Sequence, residues 1–256
     1  MASPIKKVLI TGATGRIGVD LAPRMTEAFE VYSGVRREVK DLPNPTPCLI
    51  GDFDSVKAAC KGMDAVIHLA GQSWDADIYE KMIPDNITGC YNVFEAALQT
   101  GVKRVIFAST NHTVGNYLEE GRTIDEDAPV RPDTFYGVTK VYGEALGRFY
   151  AERKGLSVIS ARIGCHLAED DPNLARNRRS WDMWLSFRDC GQFMTKALQA
   201  ENIRYECLHC ISGNTRRLML IERARNVIGY EPEDDSERLI KKHGWDEHPV
   251  QEHVVP

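Results

Sequence analysis

Lys7-Val8-Leu9-Ile10-Thr11-Gly12-Ala13-Thr14-Gly15-Arg16-Ile17-Gly18 joins a short apolar run to three glycines spaced Gly-x-x-Gly-x-x-Gly, then to helical spacing from about Ile17. A strand that turns directly into a helix leaves unpaired N–H donors at the helix start. Glycine at 12, 15 and 18 lets the backbone turn tightly and approach a pyrophosphate there. Glycine triplets occur in many tight turns. The position between a strand and a helix is what points to dinucleotide binding, with Arg16 and Ile17 inside the same loop.

Outward from this unit the same alternation repeats. Apolar runs at Val8–Thr11, Val31–Val35, Pro47–Ile50, Ala65–Leu69, Val105–Ser109 and Val158–Arg162 read as strands. Stretches of helical spacing between them start near Ser55, Asn86 and Tyr136, and a further one near Arg188. Apolar strands interleaved with amphipathic helices predict an α/β fold, a doubly wound parallel sheet of six strands covered on both faces (the Rossmann fold). After about residue 165 the pattern loosens through Asp170–Cys190, rich in Arg, Trp and Asp. The expected organisation is a dinucleotide-binding core over 1–165 and a substrate-binding and C-terminal segment over 166–256, integrated with that core. The tail 246–256 reads as a frayed end or an arm reaching a neighbouring subunit.

Composition narrows the class. The 256 residues are 43% hydrophobic and 27% charged, with a net charge of −5 and no long Lys/Arg run, which argues for a globular core and against nucleic acid or a membrane surface as the partner. No stretch approaches the roughly 18 uninterrupted apolar residues of a membrane span, so a cytoplasmic location is expected. Seven cysteines sit in apolar segments, which fits buried thiols better than a disulfide framework. Cys207 and Cys210 form a lone Cys-Leu-His-Cys without a second ligand pair, so core cysteines and no metal site are expected.

Two further features bear on chemistry. The second strand ends Ser33-Gly34-Val35-Arg36-Arg37, without the carboxylate that would bind adenosine ribose hydroxyls. Two guanidiniums stand where a 2′-phosphate would lie, so NADP is the favoured cofactor, with NAD as the alternative if these are solvated loop charges. Tyr136 and Lys140 lie four apart at the start of a helical pattern and share one face. Tyrosine's ordinary pKa of about 10 makes it a poor base, and an adjacent ammonium favours the phenolate.

The glycine spacing, Gly51-Asp52-Phe53-Asp54, His68-Leu69-Ala70-Gly71, Asn86-Ile87-Thr88-Gly89 and Tyr136-Gly-Val-Thr-Lys140, in that order, resemble the extended short-chain dehydrogenases over about the first 165 residues. The resemblance implies that Asp52, Phe53, Leu69, Ala70, Gly71, Asn86 and Ile163 contact the cofactor. It also implies that Asn86 opens a helix, that Tyr136 abstracts a hydroxyl proton, and that Lys140 also holds the nicotinamide ribose. Thr110 is implied as the hydroxyl that orients the substrate oxygen, with Ser109 as the fallback.

Thr110-Asn111-His112 further resembles the Ser-Asn-His of uronate dehydrogenases and of archaeal NAD-dependent glucose-6-phosphate dehydrogenases in this family. By that resemblance Ser73, Asn111, His112, Cys165 and Arg179 touch the substrate, with Arg179 binding its anionic group. Arg176 and Arg178 would add charge there unless they are solvated. Met183-Trp184-Leu185-Ser186 and Ile221-Glu222-Arg223-Ala224 are closer to the glucose-6-phosphate branch. Cys165 departs from the serine of the uronate enzymes, and the missing carboxylate after the second strand departs from both groups.

About 90 residues follow the sixth strand, few for a nucleoside-diphosphate sugar, so a small sugar is expected. The implied activity is oxidation of its C1 hydroxyl to a lactone, in a homodimer or homotetramer. Alternatives are a sugar epimerase or dehydratase, and a non-catalytic NADP-sensing regulator, a class that usually lacks the Tyr/Lys pair.

Overall fold

The computed structural model describes residues 4–73, 77–176 and 178–245; the side chains of Arg176 and Arg178 and the tail 246–256 lie outside the described residues. In chain order the elements are β1 (Lys7–Thr11), α1 (Gly18–Met25), β2 (Glu30–Val35), β3 (Pro45–Pro47), α2 (Phe53–Cys60), β4 (Ala65–His68), a π-helix (Ile78–Gly89), α3 (Cys90–Gln99) and β5 (Arg104–Thr110). There follow α4 (Gly115–Glu119), α5 (Phe135–Lys154), β6 (Ser157–Ile163), β7 (Cys165–His166), α6 (Pro172–Arg176), α7 (Arg178–Asp182), β8 (Trp184–Leu185), α8 (Phe187–Gln199), β9 (Tyr205–Cys210), α9 (Glu222–Ile228) and α10 (Ser236–His243).

Seven strands form one parallel sheet in the order β3-β2-β1-β4-β5-β6-β9. Successive side chains on a strand point to opposite faces, and here both faces are covered, which is why the strands read as unbroken apolar runs. Val8 and Ile10 pack into one core layer and Leu9 into the other. Ile106 and Ala108 likewise oppose Val105 and Phe107. Helix α8 closes the first layer with Cys190, Phe193, Met194, Ala197 and Leu198, a stripe at helical spacing. Its start is fixed by Ser186, whose hydroxyl accepts the Asp189 N–H at 3.0 Å.

Three expected elements differ. The strand expected at Pro47–Ile50 is Pro45–Pro47; as an edge strand it tolerates two residues without N–H donors, and after Cys48, whose N–H still donates to Val35 O at 2.9 Å, the chain turns toward α2, where Leu49 N–H donates to Ser55 Oγ. The helix expected to open at Asn86 begins at Ile78, because a π-helical turn accommodates Pro84 inside it. The sheet has seven strands rather than six, since β9, which carries Cys207 and Cys210, extends it beside β6. Both cysteines are buried free thiols. Among the described residues no helix is long and apolar enough to cross a membrane.

The chain runs from β1 outward through β2 to β3, then returns to place β4 on the other side of β1. That reversal opens a crevice at the carboxyl ends of β1 and β4, where doubly wound sheets bind ligands.

Candidate active site

The glycine loop leaves β1 with Gly12 at φ +70°, a left-handed conformation that favours glycine. A Cβ there would lie 2.7 Å from the Ala70 backbone, so the loops after β1 and β4 touch only because residue 12 has no side chain. The Gly15 N–H donates to Gly12 O at 2.9 Å, and the Val19 N–H to Gly15 O at 3.1 Å, which carries the chain into α1. Thr11 ties the floor together: its Oγ1 lies 2.8 Å from His68 Nδ1 and accepts the Ala70 N–H at 3.3 Å. Burial pushes the His68 imidazole down to about 3, so this contact stays uncharged at neutral pH.

Above this floor lies a cleft of about 310 Å³. Gly12, Gly15, Leu69, Ala70, Gly71 and Arg36 line it, as do Thr14, Gly34, Gln72 and Asp85, which the sequence reading did not single out. Arg36 and Arg37 are both exposed, and only Arg36 is on the cleft wall. Asp52 and Phe53 do not line it; Asp52 caps α2 through the N–H groups of Asp54 and Ser55, and Phe53 packs against the core. The wall there is formed by Leu49, Ile50 and Gly51 instead. Gly18 is buried in the first turn of α1, Ile17 packs on the core, and Arg16 is exposed. The backbone room, the helix start and the cleft together fit a dinucleotide.

The catalytic candidates are carried by the end of β5 and the start of α5. Lys140 is buried in α5 and donates from Nζ to Ala108 O at 2.9 Å, and the same Nζ is 5.5 Å from the centre of the Tyr136 ring. Asn86 reaches α5 by donating to Thr139 Oγ1 at 3.0 Å, while its Oδ1 accepts the Gln72 N–H at 2.7 Å. It therefore fixes the loop after β4 against the helix that carries Lys140. Thr110, the last residue of β5, accepts the His112 N–H at 3.3 Å, and its own hydroxyl donates to Asn111 Oδ1 at 3.1 Å. Ile163 sits opposite Thr110 in the β5–β6 register. The fallback Ser109 is committed elsewhere, donating to the buried Glu144 carboxylate at 2.5 Å.

His112 lies edge-on to Tyr136, with ring centres 5.9 Å apart. Its Nδ1 is 2.8 Å from Asp133 Oδ1, and Asp133 Oδ2 accepts from Arg179 at 3.0 Å. Arg179 also donates to Glu119 at 3.3 Å. Burial works against the Asp133 charge, but the His112 and Arg179 contacts outweigh it and hold the carboxyl below the usual range. Sequence reading missed Asp133; its only local signal is the place three residues before Tyr136. Asn111 is buried and donates to Met183 Sδ at 3.4 Å. Cys165 starts β7 beside β8, within electrostatic range of Arg16 and Arg179. Ser73 is exposed beyond Gly71.

Residues 8–205 match the NAD dependent epimerase/dehydratase family. An NAD-dependent glucose-6-phosphate dehydrogenase of Haloferax volcanii is 36% identical over 90% of this chain and 94% of its own length. An L-arabinose 1-dehydrogenase (NAD(P)(+)) of the same organism is 35% identical over 92% of this chain and 99% of its own. The crystal structure of uronate dehydrogenase from Agrobacterium tumefaciens superposes with a TM-score of 0.86 at 29% identity, covering 97% of this chain and 92% of that one. The glycine loop after β1, the Tyr136/Lys140 pair and these matches have one reading: the chain belongs to the NAD dependent epimerase/dehydratase family, the extended short-chain dehydrogenases, and is a nicotinamide-dependent oxidoreductase of it.

Proposed function

We propose that the protein is a sugar dehydrogenase that oxidises the C1 hydroxyl of a small sugar (glucose 6-phosphate, a hexuronate or an aldose) to its lactone. The observation that supports this reading is Lys140, bonded to Ala108 O at the end of β5 with its Nζ 5.5 Å from the Tyr136 ring, beside the cleft that Gly12, Gly15 and Gly71 line. Gly12, Gly15 and the first turn of α1 would hold the pyrophosphate, and Lys140 and Asn86 would shape the nicotinamide end. When bound, the nicotinamide supplies the hydride acceptor. Tyr136 Oη takes the proton of the C1 hydroxyl as C1 becomes a carbonyl carbon. Lys140 places a positive charge 5.5 Å from the Tyr136 ring, and Thr110 orients the same oxygen. Ser73, Asn111, His112, Cys165 and Arg179 would contact the rest of the sugar. Arg179 brings a charge already shared with Asp133 and Glu119.

For the cofactor we favour NADP over NAD, because β2 ends without a carboxylate and Arg36 lines the cleft. The experiment that tests the whole reading is reduction of NAD and of NADP by the purified protein with glucose 6-phosphate, glucuronate, galacturonate and free aldoses in parallel. One sugar is expected to drive turnover, and its product to hydrolyse as a lactone does. Cofactor retained through purification, with epimerised sugar and no net reduction, would favour an epimerase instead.

A further inference from the structure

Asp133 is nearly inaccessible to solvent, with a side-chain exposure of 4%, yet it belongs to a loop. The fold makes room for it. A Cβ on Gly115 would overlap the Asp133 carboxyl, so α4 can start beside it only with glycine. The loop is zipped to the turn after β5 by Arg131 N–H to Thr113 O at 2.9 Å and to α4 by Asn116, whose amide donates to Pro132 O at 2.9 Å. A Cβ on Gly137 would overlap the His112 carbonyl oxygen, so the start of α5 is pressed against the same turn.

The carboxylate's two oxygens are divided between two side chains, Oδ2 to Arg179 and Oδ1 to His112. With Arg179 on one side Asp133 stays ionised, and an ionised carboxylate only accepts hydrogen bonds. His112 Nδ1 must therefore carry the proton. In the neutral ring this leaves Nε2 as an acceptor, on a ring whose centre lies 5.9 Å from that of Tyr136.

We infer that Asp133 is a positioning residue: it fixes His112 in the Nδ1–H tautomer, so that Nε2 accepts a hydrogen bond from a sugar hydroxyl next to the reacting carbon. The catalytic consequence rests on the proposed dehydrogenase function, whereas the tautomer does not. A sugar hydroxyl that donates its proton to Nε2 does not compete with the C1 hydroxyl for Tyr136 Oη.

The test has two readouts. Nitrogen-15 NMR of histidine-labelled protein at pH 8, with His112 assigned from the spectrum of His112→Gln, reads the tautomer without any substrate. The wild type is expected to show Nδ1–H, and Asp133→Asn to move the population toward Nε2–H, because the new amide can donate to Nδ1. In turnover, Asp133→Asn should lower kcat by about 100-fold, the scale of a misplaced reacting group, with KM for the cofactor unchanged. In the His112→Ala background it should lower kcat no further. Gly115→Ala, which pushes on the same carboxyl, should shift the tautomer in the same direction. An Nε2–H ring in the wild type, an unchanged tautomer in Asp133→Asn, or losses that add to those of His112→Ala would each overturn the inference. Absence of turnover in every protein would count against the dehydrogenase reading alone, with the tautomer still deciding the role of Asp133.

Discussion

Glu144→Gln is the most severe single-atom test of how the site is held. Glu144 lies one turn beyond Lys140 on α5 and is buried together with Arg162 of β6. Arg162 binds it through two parallel contacts, Nε to Oε1 and Nη2 to Oε2, each 2.9 Å, and Ser109 donates to the same carboxylate. Burial alone would lower the Arg162 pKa, but the paired carboxylate more than compensates and holds it above its ordinary value. Arg162 Nη1 makes no hydrogen bond among the described residues, so the guanidinium has no second partner to fall back on. Leaving a buried charge uncompensated costs about 3 to 5 kcal/mol. Gln keeps the shape and one acceptor, so about 3 kcal/mol is expected, or roughly 6 to 12 °C in Tm for a domain of this size. Urea unfolding should show a lower midpoint at unchanged m. Adding Arg162→Met should recover most of the loss, because the unpaired charge goes with it. A loss under about 1 kcal/mol, or no recovery in the double variant, would refute the claim that this pair locks β5, β6 and α5 together.

Stability should also fall on the acid side. Burial pushes His68 and His209 down to about 3 and His166 to about 4, so the unfolded chain takes up protons from about pH 6.5 that the folded protein refuses. Each contribution is complete above that pH and is lost as pH falls toward the folded value, by about 1.4 kcal/mol per pH unit. His166→Phe, which keeps a ring against Phe187, should remove one such share from the slope between pH 6 and 4.5, measured by urea unfolding; an unchanged slope would refute it. For the cofactor, Arg36→Ala should raise KM for NADP about 10- to 100-fold, the worth of one charge-assisted contact, with little change for NAD. Arg37→Ala, off the cleft wall, should do far less, and equal effects of Arg36→Ala on both cofactors would remove the 2′-phosphate role.

Much of this architecture is legible in the chain because its signals are local. Val8–Thr11 followed by three spaced glycines can hardly be anything but a strand, a turn and a helix start. The apolar runs of β4, β5 and β6 announce strands buried on both faces. Where the reading slips, the missing information is tertiary. Cys48–Ile50 is as apolar as a strand, but it lines the cleft, and the strand register falls on Pro45–Pro47 before it. Pro84 looks like a boundary until the wider π turn is seen. The β9 segment has a strand-like apolar setting around its cysteines but mixes in Glu206 and His209, and its place beside β6 makes it the seventh strand of the sheet. Arg179 carries an obvious charge in the sequence, but its partners Glu119 and Asp133 lie 60 and 46 residues away. Asp133, which joins His112 to Arg179, has no pattern of its own.

The central claim is that Tyr136 is the base of a nicotinamide-dependent oxidation. It is tested most directly by Tyr136→Phe, assayed with the sugar that drives turnover and by titration of the reduced cofactor followed by fluorescence. Because the glycine loop and the Lys140 contact to Ala108 are untouched, cofactor should bind as tightly as to the wild type, while kcat falls by more than about 100-fold. A Tyr136→Phe protein that turns over at near wild-type rate would contradict the account.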